Sequence, residues 1–534
     1  MSALLRNPLP RLWLAACVLL TVIPLAVVAG AFGSFDREIW SFLLEHQLPL
    51  LLKNTALLAA GVGCGVVVLG TSLAWLTAVH DFPLRRLFFW ALMLPLAVPA
   101  YVLAFVQTGA FDYAAPASTW LREVHGWEKG LPNLRNGFGL TLVMSLTFYP
   151  YVYLLARNAF AGMGQRALEA GASLGLSPWR AFFKIALPMA RPWIAGGAVL
   201  ALMETLADFG TVSVFGYETF TTAIYETWFG MFSLDTAKQL AAILITAVFV
   251  LLVLEQFSRG ARRFHRNDKS RTLSRRPLQG RLKWAATAYC GVVLLLAFAL
   301  PVLQLGWWAY ETWAEVFNER LWEQAWHSFA GGMAAALLTA AAAVLLALAK
   351  RADGSRFAAV CSRVATLGYA VPGTVLAVGV FVPVAALDNF LLAHFGFPEG
   401  TTAVFKGTLA VMLLAYLIRF LAVAYASAEA GLERISPSQG EAARSLGCTA
   451  WGVLRRVYLP LLRGAGATAV LMVFVDIMKE MPITLMMRPH DWETLAVRIY
   501  SFTGEGLYAQ AALPALLIVL TGLIPVILFS RAEQ

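Results

Sequence analysis

The sequence predicts an all-α membrane protein with twelve transmembrane helices, arranged as two parallel-repeat halves of six. Three observations carry this prediction. Of the 534 residues, 59% are hydrophobic and only 13% are charged, giving a mean hydropathy of +0.69, too apolar for a soluble chain of this length. Apolar runs of about 20 residues, each long enough to cross a ~30 Å hydrocarbon core as a helix, recur along the whole chain. The ~10-residue alternating segments of a membrane barrel are not evident. Finally, a polar stretch is written twice: "EAGASLGLSPWRAFFKIALP" (Glu169 to Pro188) returns 272 residues later as "EAARSLGCTAWGVLRRVYLP" (Glu441 to Pro460).

The spans are expected near 8–32, 54–78, 87–111, 138–160, 192–213, 236–258, 283–307, 328–349, 363–387, 408–430, 464–487 and 509–530. The first has the basic start and small-residue end of a signal peptide ("VVAGAFG"). Its apolar run is longer than the usual ~7–15 residues, however, and eleven spans follow, so it reads as a span. Basic residues such as Arg11, Arg85, Arg86, Lys350 and Arg363 fall on one side, while acids such as Glu45, Glu123, Glu218 and Glu315 fall on the other. The positive-inside rule then places both termini in the cytoplasm. The net charge of +10 is thus a topology signal, and the expected partner surface is the lipid bilayer; nucleic acid is not implied.

From Arg259 to Lys283 the apolar pattern breaks into ten Lys or Arg and one acid, a composition suited to a cytoplasmic linker near anionic headgroups. It divides the chain into a first half at 1–258, a linker at 259–283 and a second half at 284–534. "LAVPAYVLA" (Leu96 to Ala104) also matches "YAVPGTVLA" (Tyr369 to Ala377) at an offset of 273. An even number of spans per half makes the repeat parallel, with a pathway expected between the halves. The five cysteines are scattered, with no spacing that suggests a disulfide framework or a zinc site.

Both copies of the polar stretch lie on the cytoplasmic side, between the fourth and fifth spans of their halves, and eight of their twenty positions are identical. A short helix can end at Gly175 or Gly447, because glycine tolerates the left-handed conformation common there. Ser177 or Thr449 can cap a second helix, with Pro178 suited to its first position in copy one. That second helix places Trp179, Phe182, Phe183 and Ile185 among Arg180 and Lys184, so it is amphipathic, and Pro188 is expected to end it. A single copy could be a surface-seeking helix. Two copies suit a partner with two equivalent sockets.

The pattern of Glu-Ala, Gly six residues on, then Ile/Val, Leu and Pro ten, twelve and thirteen after that Gly resembles the EAA loop of binding-protein-dependent ABC importer permeases. Gly171 is the one departure, standing where the family has a second Ala. The resemblance implies that each loop is a coupling helix docking into a groove on an ATP-binding subunit. It carries that role onto Glu169, Ala170, Gly175, Ile185, Leu187 and Pro188, and onto Glu441, Ala442, Gly447, Val457, Leu459 and Pro460. It implies two ATP-binding subunits that hold ATP and Mg, with no cofactor on this chain. No Gly-x-x-x-x-Gly-Lys-Ser/Thr phosphate loop is present, so the chain is expected to be a transport subunit and not an enzyme.

"YPYVYLLARNAF" (Tyr149 to Phe160), "ETLADFGTVSVFGYETFTTAIYETW" (Glu204 to Trp228) and "KEMPITLMMRPHDWETLAVRIY" (Lys479 to Tyr500) make the chain most similar to fused ferric-iron importer permeases. Thiamine, polyamine and phosphonate permeases are related. This likeness implies a bacterial inner membrane and a periplasmic binding protein, for which Asp112 to Gly137 and Asp388 to Gly407 are candidate docking loops. An ion-gradient-driven secondary transporter would show the same hydropathy, but not paired EAA loops.

Glu204 and Asp208 are four apart on the fifth span, and the repeat carries them to Asp476 and Glu480 on the eleventh. Residues at i and i+4 share a helix face. At 1.5 Å per residue Glu204 lies ~18 Å into its span, where ionisable groups are costly and face a bundle interior or a watery path. Two uses are open. The acids could line a path for a hard cation with oxygen ligands, or they could pair with Lys479, Arg419 or backbone.

Overall fold

The computed structural model describes residues 9–33, 37–127, 130–162, 173, 175–259, 275–395, 397–398 and 401–532. Their regular structure is helical apart from one two-residue parallel bridge, His80–Asp81 with Arg276–Pro277. Among the described residues, nine helices are long and apolar enough to cross a membrane, or up to eleven if each of two bent pairs forms one span. A shorter apolar helix, Ala512–Ile527, occupies the last expected region.

The expected helices are less regular than their hydropathy. The third breaks by 94° between Arg85–Ala97 and Ala100–Ala110. Val98 is extended there, with ψ 122°, as the residue before Pro99 must be to avoid its ring. The carbonyls freed near this bend need donors. Tyr149 Oη donates to Leu92 O at 2.8 Å, while Tyr153 Oη and Arg157 Nη1 donate to Phe89 O at 3.0 and 2.9 Å. The "YPYVYLLAR" stretch thus has a structural use, to satisfy a broken helix inside an apolar core.

Proline accompanies four of the five described π turns. Four π turns, Leu43–Gln47, Phe182–Ala186, Leu295–Ala299 and Leu454–Tyr458, are each followed at once by Leu-Pro. A π turn shifts bonding to i→i−5, and a proline just past it lies in the first turn of the next helix, where no amide is required. Pro188 therefore does not end its helix as expected. It starts the next one, and Trp179–Ala207 runs on as a single candidate span.

Two compact units emerge. One contains Phe42–Thr222, Thr246–Val316 and Ile499–Gln534. Its centre is helix Leu48–Val79 against Gly137–Gly162 and Leu187–Ala207. A Cβ at Gly70 would lie 2.9 Å from Tyr149 O, and one at Gly197 would lie 2.7 Å from Val152 Cα. Small residues are required where helix backbones approach this closely in a membrane. Helix Arg281–Leu294 joins this unit through Tyr289 Oη, 2.7 Å from Ser72 Oγ, and through Thr287 Oγ1, which donates to Pro83 O at 3.1 Å.

The other unit contains Met1–Ser41, Ala223–Ile245 and Phe317–Arg498. Helix Glu319–Asp353 packs on Leu409–Glu433 and Arg463–Lys479, and helix Leu9–Ala29 packs on Arg356–Ala365 and Gly373–His394. A Cβ at Gly379 would meet Pro24 O at 2.8 Å. Thr21 Oγ1 donates to Ala365 O at 3.0 Å, and Arg11 Nε pairs with Asp353 Oδ1 at 2.8 Å. The opening helix of each sequence half thus belongs to a unit built mainly from the other half. The sequence repeat does not reveal this, because it records resemblance and not contact.

Candidate functional site

The second polar stretch is described throughout. Helix Pro437–Ser445 carries Glu441 and Ala442, both exposed. It ends with Gly447 N donating to Arg444 O at 2.9 Å and Cys448 N donating to Ala443 O at 3.0 Å. This pair of bonds is the Schellman closure, which needs a left-handed residue between the two donors, and Gly447 supplies it with φ +83°. Thr449 Oγ1 then accepts from Gly452 N at 3.2 Å, starting helix Ala450–Val453. The π turn and Leu459–Leu461 follow, with Val457 half-buried and Leu459 and Pro460 exposed.

In the first stretch Glu169 and Ala170 lie outside the described residues. So do Gly171, Ala172 and Leu174, and from Gly175 onward the stretch repeats the pattern. Gly175 has φ +77°, Ser177 Oγ accepts from Arg180 N at 3.4 Å, and Pro178 opens helix Pro178–Ala181. Ile185 and Leu187 are half-buried and Pro188 is exposed. The matched tryptophans stand out of both segments, Trp179 at 72% and Trp451 at 66% exposure, and Leu446 is 86% exposed. Each segment therefore presents an apolar side chain at the same register on a charged background of Arg180 and Lys184, or Arg455 and Arg456.

The four acids divide into two kinds. Glu204 and Asp476 sit half-buried inside helices Leu187–Ala207 and Arg463–Lys479. Asp208 and Glu480 stand just past the ends of those helices, extended at ψ 132° and 122°. The helices expected to reach 213 and 487 are therefore interrupted at these residues, and Glu204 and Asp208 do not share an unbroken helix face. The reason is local, because a carboxylate that bonds nearby amides offers the backbone an alternative to helix.

Asp208 Oδ1 accepts from Thr211 N at 2.8 Å and from Val212 N at 3.2 Å, and its Oδ2 accepts from Thr211 Oγ1 at 2.8 Å. Glu480 uses the same register. Its Oε1 accepts from Ile483 N at 3.0 Å, and its Oε2 accepts from Thr484 N at 3.1 Å and Thr484 Oγ1 at 3.2 Å. Each carboxylate thereby holds the start of a short helix, Gly210–Phe215 or Pro482–Met487.

Glu480 has a further neighbour. Arg419 Nη1 lies 3.9 Å from its Oε1, with the two side chains 13% and 3% exposed, close enough to pair as charges but too far to hydrogen-bond. This is the Arg419 pairing that the sequence left open. A Cβ at Gly373 would be 2.4 Å from Arg419 Nη1 and 2.9 Å from Glu480 Oε1, so the ion pair needs glycine there. Glu480 also lines a narrow cleft with His327, Tyr416, Thr484 and Trp492. Among the described residues, no group of three or more His, Cys, Asp or Glu comes together to hold a metal ion.

Some structural residues were missed in the sequence. Asp388 is fully buried, and its carboxylate accepts from Val404, Phe405 and Lys406 N at 2.9–3.1 Å, pinning the loop that follows its helix. The Gly373–Arg419 contact could have been found by comparing the halves, because Ala100 and Thr147 occupy the matching positions.

Comparison with known proteins agrees with the repeat. The family described as "Binding-protein-dependent transport system inner membrane component" matches twice, over residues 67–256 and 332–533. The chain is 27% identical to the Fe(3+)-transport system permease protein FbpB 2 of Haemophilus influenzae, covering 98% of each protein. It is 24% identical to the ferric transport system permease protein FbpB of Actinobacillus pleuropneumoniae, over 89% of this chain and 70% of that one. It is also 31% identical to the molybdenum transport system permease protein ModB of Azotobacter vinelandii, over 33% of this chain and 75% of that one.

Proposed function

We propose that this chain, which belongs to the family of binding-protein-dependent transport system inner membrane components, is the fused double permease of an ATP-driven importer of ferric iron. It would span the bacterial inner membrane twelve times with both termini inside. A periplasmic binding protein would deliver the iron, and two separate ATP-binding subunits, carrying ATP and Mg, would supply the work. The observation that carries this reading is the pair of matched segments at Gly175 to Pro188 and Glu441 to Pro460, each with an exposed tryptophan beside a left-handed glycine. Such segments offer each ATP-binding subunit a rigid apolar contact on the cytoplasmic face, so that closure of the subunits moves the helices to which they are joined. Ferric iron is supported by the likeness to ferric transport permeases over 98% and 89% of this chain.

Within the membrane, the acids proposed to meet a passing cation are Glu204, Asp208, Asp476 and Glu480, of which Asp208 and Glu480 also accept from backbone amides. Two experiments test this function. Gly447→Pro should abolish solute-stimulated ATP hydrolysis in the reconstituted complex while leaving the chain folded, and undiminished stimulation would reject the coupling role. Uptake of radioactive ferric iron from a loaded binding protein should be lost in the joint variant Glu204→Gln with Asp476→Asn. Intact uptake with an unchanged pH dependence would reject the cation path, and uptake of thiamine or a polyamine in place of iron would reassign the substrate.

A further inference from the structure

One side chain stands at the root of each coupling segment, and the two are chemically unlike. Arg351 lies in the last turn of helix Glu319–Asp353. Its Nη1 donates to Leu432 O at 2.8 Å, and its Nη2 donates to Ile435 O at 2.7 Å. These carbonyls lie where the chain leaves helix Leu409–Glu433 for the coupling segment, and the last carbonyls of a helix have no partner within it. The same guanidinium lies 5.3 Å from the ring centroid of Tyr458, in the π turn by which the chain returns. Tyr458 in turn backs the segment's first helix so closely that a Cβ at Gly440 would be 2.4 Å from its hydroxyl. A single cation therefore fastens both feet of the segment to the helix beside it.

The first half does the same job with rings. Trp75, on helix Leu48–Val79, has its ring centroid 5.2 Å from that of Phe160, near the end of helix Gly137–Gly162, and 4.9 Å from that of Phe182, which opens the returning π turn. His80 stands edge-on to the same indole at 5.7 Å. At the repeat offset Arg351 corresponds to Val79, Trp75 to Ala347, Phe160 to Leu432 and Phe182 to Leu454. Neither half carries the clamp residue of the other.

We propose that Arg351 and Trp75 are positioning residues, each clamping the two feet of its own coupling segment, by charge-to-carbonyl bonds in the second half and by ring packing in the first. Neither is assigned a contact with the ATP-binding subunit. Each acts by fixing the angle at which Trp451 or Trp179 is presented. The functional consequence rests on the coupling role proposed above, whereas the clamp itself is a property of this chain alone.

The test is amide hydrogen exchange on the full chain in lipid nanodiscs, with Arg351→Gln, Arg351→Lys and Trp75→Leu. Arg351→Gln should raise exchange across 437–453 about tenfold, as local opening without global unfolding does, with 175–186 and the body of helix Glu319–Asp353 unchanged. Trp75→Leu should give the mirror image. Arg351→Lys, which keeps the charge but cannot fork to two carbonyls, should recover part of the protection. In the complex reconstituted with ATP-binding subunits, Arg351→Gln should raise the ATP hydrolysed per solute imported at undiminished co-purification. Unchanged exchange at 437–453, or equal loosening of both segments by either variant, would overturn the clamps. Failure of the unaltered chain to co-purify with any ATP-binding subunit would instead overturn the coupling role and leave the exchange result standing.

Discussion

The break after Ala207 and the break after Lys479 are built on one plan but stabilised differently. In each, an acid leaves the helix in extended conformation, and its carboxylate accepts from the amides three and four residues on. In the second half a buried arginine approaches the carboxylate, and a glycine gives it room. In the first half Thr147 and Ala100 hold those two positions. The cap is the shared device, and the ion pair is an addition that only one half carries. The segments leading into these helices differ as well. Trp179–Ala207 is one span, whereas Trp451–Leu461 and Arg463–Lys479 meet at 66°. A repeat can thus keep its backbone plan while its halves come to depend on different chemistry.

The sharpest way to break this comparison is to remove the two acids in turn. Glu480→Leu strands a buried guanidinium and should cost about 3–5 kcal/mol, whereas Asp208→Ala loses only a cap, about 0.5–2 kcal/mol. Thermal unfolding in detergent should therefore show a much larger drop for the second half. The triple variant Gly373→Ala, Arg419→Thr, Glu480→Asp, which copies the first half, should recover most of it. Equal losses from the two acids would show that Arg419 adds nothing.

Gly373→Ala alone forces a Cβ against Arg419 and Glu480 and should cost about 1–3 kcal/mol. The reciprocal Ala100→Gly should cost at most about 1 kcal/mol, and the same melting experiment reads both. Smaller again are Ser177→Ala and Thr449→Ala, about 0.5–1 kcal/mol each, visible as faster exchange confined to their own segments.

The smallest effect concerns pH and separates the two clamps. Burial holds the His80 imidazole below its ordinary value, so the folded protein favours the neutral ring. A depressed histidine contributes stability above its unfolded value, near 6.5, and loses it as pH falls through the lower folded value. Acidification should therefore loosen 175–186 slightly and leave 437–453 unchanged, because the side chain that clamps the second segment is an arginine and not a histidine.

Much of this architecture was legible in the chain. Hydropathy located most of the helices, and the repeat located both polar stretches. Gly175 and Gly447 were expected to be left-handed, and Ser177 and Thr449 to cap, because those residue types meet local backbone demands that no distant contact alters. Pro188 opens a helix where the sequence suggests an end, since a proline marks a helix boundary without saying on which side the helix lies. Apolar neighbours continue past Asp208 and Glu480, so the sequence places both on helix faces; hydropathy does not register a carboxylate turning back onto its own backbone. The exchange of opening helices between units depends on contacts more than 200 residues apart, such as Thr21 with Ala365 and Ser72 with Tyr289. No local pattern encodes them.

The central claim is that work enters this chain through its two cytoplasmic segments, from ATP-binding subunits outside it. The most direct measurement is solute uptake into proteoliposomes holding this chain with those subunits and a loaded binding protein. The account predicts uptake that requires ATP, persists when ion gradients are collapsed, and is lost in Gly175→Pro and Gly447→Pro. Uptake by the chain alone, driven by an imposed ion gradient and indifferent to ATP, would contradict it.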